Sequence, residues 1–252
     1  NTLATLIDNT SSNDGKLRNA VFVHDFESPL LHKLTWPKVS WAPGLFDLDN
    51  DTDLDLFFAN GHLNSVSGDN RQANLLFEND GGGRFSDISD KSGVLSTGKR
   101  IHRSAIFADY DDDGRVDIFV TVNGQQVEDG KGNNVFDPNQ GKGILFHNDT
   151  KNDNNWLKVR LEGTKSNRDG LGSKVKIKSG AFTDEKALVS GEGYFSSSAK
   201  EIYFGLGETT SIDKLTVLWP SGHDDIFENI KANQTVYIVE GKQLYQDTLR
   251  SP

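Results

Sequence analysis

The chain has 252 residues, of which 35% are hydrophobic, 10% aromatic and 25% charged, and its net charge is −10. A chain of this length and apolar content can bury one large or two ordinary cores, which excludes wholesale disorder. Cysteine is absent, which excludes disulfides, Cys-ligated zinc, iron–sulfur clusters and thiol nucleophiles. The acidic balance argues against a nucleic-acid partner, because binding phosphates requires clustered Lys and Arg.

Hydropathy gives no sign of a membrane anchor. No apolar run approaches the roughly 18 to 20 residues that a membrane helix requires, so we expect no membrane span. The N-terminus lacks the basic and then apolar pattern of a signal peptide, and the chain contains no methionine. We therefore expect a processed chain or a piece of a longer protein.

The N-terminal region contains two apolar stretches. They are NAVFV at 19–23 and LLHKL at 30–34. Both would suit the outer strands of a β unit, but no acidic loop of the kind found further along accompanies them. We therefore expect an incomplete unit in this region.

Two acidic segments repeat each other at a constant offset. They are GLFDLDNDTDLDLFFANG at 44–61 and AIFADYDDDGRVDIFVTVNG at 105–124. Residues 47–55 are called the first acidic loop and residues 109–117 the second acidic loop. Each has aspartates at positions 1, 3, 5 and 9, which are Asp47, Asp49, Asp51 and Asp55 in the first, and Asp109, Asp111, Asp113 and Asp117 in the second. The runs LDLFF and VDIFV predict a strand at the end of each loop.

Four carboxylates at this spacing repel each other unless a cation lies among them. Calcium suits the pattern because it takes 6 to 8 oxygen ligands, and we expect about two ions. Position 7, Asp53 or Arg115, would offer its main-chain carbonyl. An EF-hand is excluded because its bidentate Glu at position 12 is replaced by Phe58 and Val120. Position 6 is Gly114 in the second loop but Thr52 in the first, so we expect weaker binding or altered geometry there.

A shorter repeated motif, called the second echo, follows each acidic loop. Its two copies are NLLFEN at 74–79 and GILFHN at 143–148. Its two copies lie further apart in the chain than the two loops do. The second unit therefore carries an insertion, and the stretch from Gly124 to Gly143 predicts a long surface loop.

The texture changes near residue 153. From there, strands such as WLKVRL, SKVKIK, KLTVLW and TVYIVE are predicted, separated by turns at GTKSNRDGLG, SGEG, GLGE and WPSG. The polar run HNDTKNDNN suggests a boundary between two domains, 1–153 and 154–252. No convincing amphipathic helix is predicted anywhere, so the expected fold class is all-β.

These motifs resemble two known families. DYDDDGRVD matches in full, and DLDNDTDLD except for the Gly, the acidic loop of the FG-GAP/VCBS repeat family. The segments WLKVRLEGTKSNRDGLGSKVKIKSG, GEGYFSS, IYFGLG and LTVLWPSG resemble the ASPIC/UnbV domain, which follows such repeats in the cartilage acidic protein group and in many secreted bacterial proteins.

The resemblance implies calcium-stabilised β-propeller-type blades followed by a β-sandwich-like domain. It also implies work outside the cell or at its surface, in adhesion, matrix or surface assembly. A propeller closes with about four to eight blades, whereas residues 1–153 provide only about two and a half units. An incomplete propeller leaves strand edges open, which predicts a homo-oligomer, polymer or filament subunit joined by strand addition.

Enzyme motifs are missing. There is no G-x-S-x-G nucleophile elbow, no H-E-x-x-H zinc motif and no phosphate-binding loop, so we expect a non-enzymatic protein with no catalytic residue. The alternative is a carbohydrate-active enzyme with a carboxylate pair, or a carbohydrate-binding module in which Trp36, Trp41 and Tyr194 stack on sugar rings. Glycans or matrix proteins are the partners that these hypotheses suggest.

Overall fold

The computed structural model describes residues 29–63, 70–124, 126–128, 134–136 and 141–246. Over these residues the regular secondary structure is almost entirely β-strand, with one short α-helix and one short 3₁₀ helix, which confirms the all-β prediction. In this part of the protein, every helix is too short or too polar to cross a membrane.

The first sheet contains the two strands that flank the first acidic loop. Its four antiparallel strands follow the chain in order: β1 (Ser40–Phe46), β2 (Asp55–Asn60), β3 (Leu75–Asn79) and β4 (Phe85–Asp87). The loop connects β1 to β2, and every residue of β2 is buried. The strand predicted from LDLFF is therefore confirmed, and its burial on both faces explains its continuous apolar run.

A second, smaller sheet surrounds the second acidic loop. A short 3₁₀ helix (Val94–Thr97) precedes β5 (Ile101–Ala108), and the loop connects β5 to β6 (Asp117–Asn123). The insertion after β6 holds a two-stranded hairpin, β7 (Gln126–Glu128) with β8 (Asn134–Phe136), and β9 (Ile144–Phe146) then pairs with β6. The long loop predicted from Gly124 to Gly143 therefore contains strands of its own, because two short β-prone runs flank its glycines.

The segment predicted as an outer strand at 30–34 is a helix, α1 (Pro29–Thr35). Proline suits the first turn of a helix, and Pro37 follows soon after its end. Leu31 and Leu34, one helical turn apart, pack against the buried side chains of β2 and β3. This three-residue spacing, typical of a helix, was the signal that the strand prediction overlooked. The stretch 19–23 lies outside the described residues.

The C-terminal half contains two four-stranded sheets. Its strands are β10 (Asn155–Glu162), β11 (Lys174–Ser179), β12 (Phe182–Ala187), β13 (Glu201–Gly207), β14 (Ser211–Leu218), β15 (Asp224–Lys231), β16 (Gln234–Val239) and β17 (Leu244–Gln246). One sheet has the order β13-β10-β16-β17 and the other β12-β11-β14-β15. All four strands predicted from residue 154 onward are present.

Side chains from both of these sheets form one buried core, as expected for a sandwich. On β10, Leu157, Val159 and Leu161 point into this core. Because successive side chains of a strand alternate, Trp156, Lys158 and Arg160 lie on the opposite face, toward the acidic loops. The boundary near residue 153 stays a prediction.

One predicted turn is part of a strand. GLGE at 205–208 was expected to separate strands, but Gly205 and Gly207 belong to β13. A Cβ at Gly205 would lie 1.9 Å from Asp47 Oδ2. Glycine is therefore needed there because the first acidic loop approaches the strand closely.

Candidate metal centre

The first acidic loop is held by its own carboxylates. Asp47 accepts hydrogen bonds from the main-chain N–H groups of Asp51 (3.1 Å) and Thr52 (3.0 Å). Asp51 in turn accepts one from the N–H of Asp53 (3.0 Å). The chain is thereby wound into a tight turn around the Asp47 side chain.

Asp55, at the start of β2, closes the same loop. Its two oxygens accept the N–H groups of Leu48 (2.8 Å) and Asn79 (2.9 Å). The Asn79 amide donates to the carbonyl of Leu54 (3.1 Å). Asp55 therefore ties the loop to the end of β3.

The second acidic loop repeats these bonds. Asp109 accepts the N–H groups of Asp113 (2.9 Å) and Gly114 (3.0 Å), and Asp113 accepts the N–H of Arg115 (2.9 Å). Each bond has its counterpart at the equivalent position of the first loop. The sequence repeat is thus a structural repeat at the level of single hydrogen bonds.

Asp117 plays the part of Asp55. It accepts the N–H groups of Tyr110 (3.1 Å) and Asn148 (2.7 Å), and the Asn148 amide donates to the carbonyl of Val116 (3.2 Å). Asn79 and Asn148 are the last residues of the second echo, so this echo also has a structural meaning. Sequence reasoning noted the echo but did not assign these asparagines a role.

Among the residues that the structure describes, three side-chain clusters bring oxygen or nitrogen ligand atoms within 4.8 Å of one another. They are Asp47 with Asp49 and Asp55, Asp109 with Asp111 and Asp117, and Asp111 with Asp113 and His147. Asp51, Asp53 and Arg115 lie outside these three clusters. His147 lies beside the second loop, and its Nδ1 is 3.1 Å from Asp117 Oδ1.

Known families match both regions of the chain. Residues 47–120, which include both acidic loops, match the FG-GAP-like repeat, and residues 163–244 match the family described as ASPIC and UnbV. Each family model thus matches one part of the chain, and neither match spans half of it. Both resemblances seen in the sequence are confirmed.

Two curated relatives have the same name. The chain is 28% identical to human cartilage acidic protein 1 over 249 residues, which cover 96% of this chain and 33% of that protein. It is 28% identical to mouse cartilage acidic protein 1 over 181 residues, covering 70% of this chain and 25% of that protein. The chain thus spans about a third of the human relative and a quarter of the mouse one.

The backbones of the two acidic loops agree closely. Thr52 has φ 88° and Gly114 has φ 87°, and two positions earlier Asn50 has φ 61° and Asp112 φ 60°. The altered geometry expected for the Thr52 loop is therefore not seen. A β-branched residue in this region is strained by about 1 to 3 kcal/mol, so Thr52 bears a cost that Gly114 avoids.

This strain predicts opposite effects for two matched substitutions. Thr52→Gly is expected to raise the melting temperature by about 2–4 °C, because the relief of strain exceeds the added chain entropy by about 1 kcal/mol. Gly114→Ala is expected to lower it by more, since its Cβ would lie 1.9 Å from the Trp156 ring. Scanning calorimetry of both variants checks the pair. A destabilised Thr52→Gly would contradict the assigned strain.

Burial leaves the first loop with carboxylates that resist ionisation. It raises the pKa of Asp47 to about 7 and that of Asp55 to about 8, and burial together with the Asp51 charge raises the pKa of Asp49 to about 6. The pKa of Asp53 is raised by burial and by the charges of Asp51, Asp47 and Asp49. A bound cation would reverse these shifts by favouring the charged forms.

The second loop receives cations from β10, which lies just before the residues matched by the ASPIC and UnbV family. The Lys158 ammonium, fully buried on β10, donates to Asp109 Oδ2 (2.7 Å) and to Asp112. Arg160 Nη2 donates to Asp112 Oδ1 (2.9 Å). Burial still raises the pKa of Asp109, although Lys158 opposes the rise. Sequence reasoning missed Lys158, and the alternation of WLKVRL was the signal that places it opposite the core.

The donor chemistry of both loops fits a hard divalent cation. In each loop, the cluster formed by the aspartates at positions 1, 3 and 9 offers carboxylate oxygens alone. Calcium prefers such ligands, whereas zinc prefers nitrogen and sulfur. In the first loop, Asp53 is 5% exposed and its Oδ1 has no hydrogen-bond partner. A buried carboxylate oxygen without a donor is costly, and a metal ion would satisfy it.

The three aromatic residues considered for sugar binding do not form one flat surface. Trp41 and Tyr194 lie in contact, with ring centroids 4.8 Å apart, and Arg103 lies 4.7 Å over the Trp41 ring. Their planes are tilted by 50°, so the two rings do not form a flat platform. Trp36 is 67% exposed on the short segment between α1 and β1.

Proposed function

We propose that this chain is a calcium-binding structural segment of a secreted or cell-surface protein, without enzymatic activity, that self-associates through open β-edges. Calcium would neutralise each acidic loop and fix the hairpin around it. The free energy of ion binding would then add to the stability of the folded state.

The pair of equivalent loops carries this proposal. Two separate segments of the chain use the same aspartates to accept the same main-chain donors, and each buries its first and last aspartate. Chance acidic turns have no reason to share such a pattern. Asp47, Asp49 and Asp55 would hold one ion and Asp109, Asp111 and Asp117 the other, with Asp51 and Asp113 close by at position 5.

The relatives support the location. Both are named cartilage acidic protein 1, and cartilage consists largely of extracellular matrix. The four-stranded meander β1 to β4 also has the strand number and order of a propeller blade, and β5, β6 and β9 supply three strands of another. In the described residues these two sheets do not close into a ring.

Open edges support self-association. In the sandwich, β15 is an edge strand of eight residues, and Ile226 on it is 53% exposed. A groove of about 630 Å³ lies along this strand, and Leu244 of β17 also lines it. An edge strand of this length can accept a strand from another copy, although Asn229 (φ 57°) interrupts its regular pairing.

The size of the particle in solution tests the proposal. Light scattering coupled to size exclusion is expected to show oligomers in calcium and smaller, less compact particles after chelation. The double variant Asp111→Ala with Asp113→Ala should reproduce the effect of the chelator. A monodisperse monomer of unchanged size in both conditions, at high concentration, would contradict both the assembly and its dependence on calcium.

A further inference from the structure

Position 7 is where the two acidic loops differ most. In the first loop it is Asp53, whose side chain is 5% exposed and whose Oδ1 has no partner. Asp51, Asp47 and Asp49 are the charges that act on this carboxylate. Asp53 therefore adds a fifth acidic side chain to the first loop, and this side chain is buried.

In the second loop, position 7 has the opposite charge. Arg115 pairs through Nη2 with the Asp113 carboxylate and donates from Nε to the carbonyl of Asn148 (3.0 Å). The buried Lys158 ammonium lies 2.7 Å from Asp109 Oδ2. Two of the four expected ligand carboxylates in the second loop, Asp109 and Asp113, are thus already paired with cationic side chains.

In the described part of the chain, the first loop has no equivalent of these cations. Among the described residues, no ion pair within 4.0 Å involves an aspartate of residues 47–55. Lys186 acts on Asp47 only at longer range, and its ammonium donates to the carbonyl of Tyr203 instead (2.7 Å). In place of a Lys158 side chain, β13 presents Gly205 to Asp47.

We infer that the two loops are neutralised differently: the first depends on its metal ion, with the Asp53 carboxylate as an additional ligand, whereas Lys158 and Arg115 replace part of the ion's charge in the second. The inference rests on the proposed calcium binding. It reverses the expectation from Thr52, because affinity for calcium increases with the number of ligand charges. The first loop is then the tight site and the second the weak one.

Calorimetric titration of calcium into the chelator-treated full chain tests this difference. Asp111→Asn with Asp113→Asn isolates the first loop, and Asp49→Asn with Asp51→Asn isolates the second. The first loop is expected to bind at least about tenfold more tightly.

The matched substitutions at position 7 give the sharper result. Asp53→Asn is expected to weaken the first site about tenfold, and Arg115→Gln to strengthen the second site several-fold. Asp80→Asn, at an exposed aspartate paired with Arg84 on another turn, is the control and should change neither constant. Because Arg115 is about one-third exposed, its variant remains informative if Asp53→Asn fails to fold.

The outcomes distinguish a failure of the inference about the two loops from a failure of the proposed calcium binding. Calcium binding at both loops with equal constants, unaffected by either substitution at position 7, would overturn the inference and leave the proposed calcium binding intact. A stronger second loop would also overturn it. If the unaltered chain binds no calcium, the proposed function itself fails. Opposite changes at Asp53 and Arg115 would establish the inference.

Discussion

Lys158→Met is expected to lower the free energy of unfolding by about 3–5 kcal/mol, which corresponds to a melting temperature lower by roughly 10 °C. The Lys158 ammonium is fully buried and contacts the carboxylates of Asp109 and Asp112. Methionine fills a similar volume but leaves the buried Asp109 charge without a partner. The penalty of an unpaired buried charge is what makes the effect large, rather than any net gain from the pair.

A surface lysine supplies the control for this result. Lys174 on β11 is 57% exposed and lies 3.5 Å from Glu185, so Lys174→Met should change stability by less than about 1 kcal/mol. Adding Asp109→Asn to Lys158→Met should restore part of the loss, because the stranded charge is removed. Denaturant unfolding of the four proteins measures these differences. Equal effects at Lys158 and Lys174 would show that the buried pair does not join the two halves of the chain.

The chelated protein is expected to lose stability as pH rises from 6.5 to 8, and calcium is expected to remove most of this loss. The pKa values of Asp47 and Asp55 rise from 3.8 to about 7 and about 8 on burial. A raised pKa in the folded state stabilises it fully below pH 4, and that contribution is lost as pH rises through 7 to 8. Calcium replaces the protons, and at 100 times the dissociation constant it adds about 2.7 kcal/mol for each site.

The pH window isolates the loops from another buried group. Burial lowers the pKa of His102 from 6.5 to about 4, so its contribution to stability is lost only as pH falls below 6.5. Melting curves at pH 6.5 and pH 8, each in calcium and in chelator, therefore report on the aspartates and on His147, whose pKa the neighbouring Asp117 carboxylate raises. Asp53→Asn should reduce the pH dependence in chelator. Parallel pH dependence in calcium and chelator would contradict ion binding at these loops.

The loops could be predicted from the sequence because their chemistry is local. Many of the main-chain donors that bond to the aspartates lie in the same loop, so the spacing of the aspartates reflects the geometry directly. The second echo linked Asn79 to Asn148 in the same way. Strands with strong apolar runs, such as β2 and β6, were equally clear.

What the sequence could not show depends on contacts between distant segments. Lys158 and Asp109 are far apart in the chain, and nothing in either motif announces that they meet. The glycines of GLGE predicted a turn at Gly205. The close approach of Asp47, which requires glycine there, cannot be read from the local sequence because Asp47 lies in another part of the chain. The helix α1 was missed for a different reason, since so short a segment offers only Leu31 and Leu34 to reveal its period.

The most direct test of calcium binding is a high-resolution crystal structure of the chain grown in calcium, with anomalous diffraction to identify the ion. We expect one anomalous peak among Asp47, Asp49 and Asp55 and another among Asp109, Asp111 and Asp117, each with oxygen ligands at about 2.3–2.6 Å. Aspartates that contact only water, with no peak in either loop, would contradict the account.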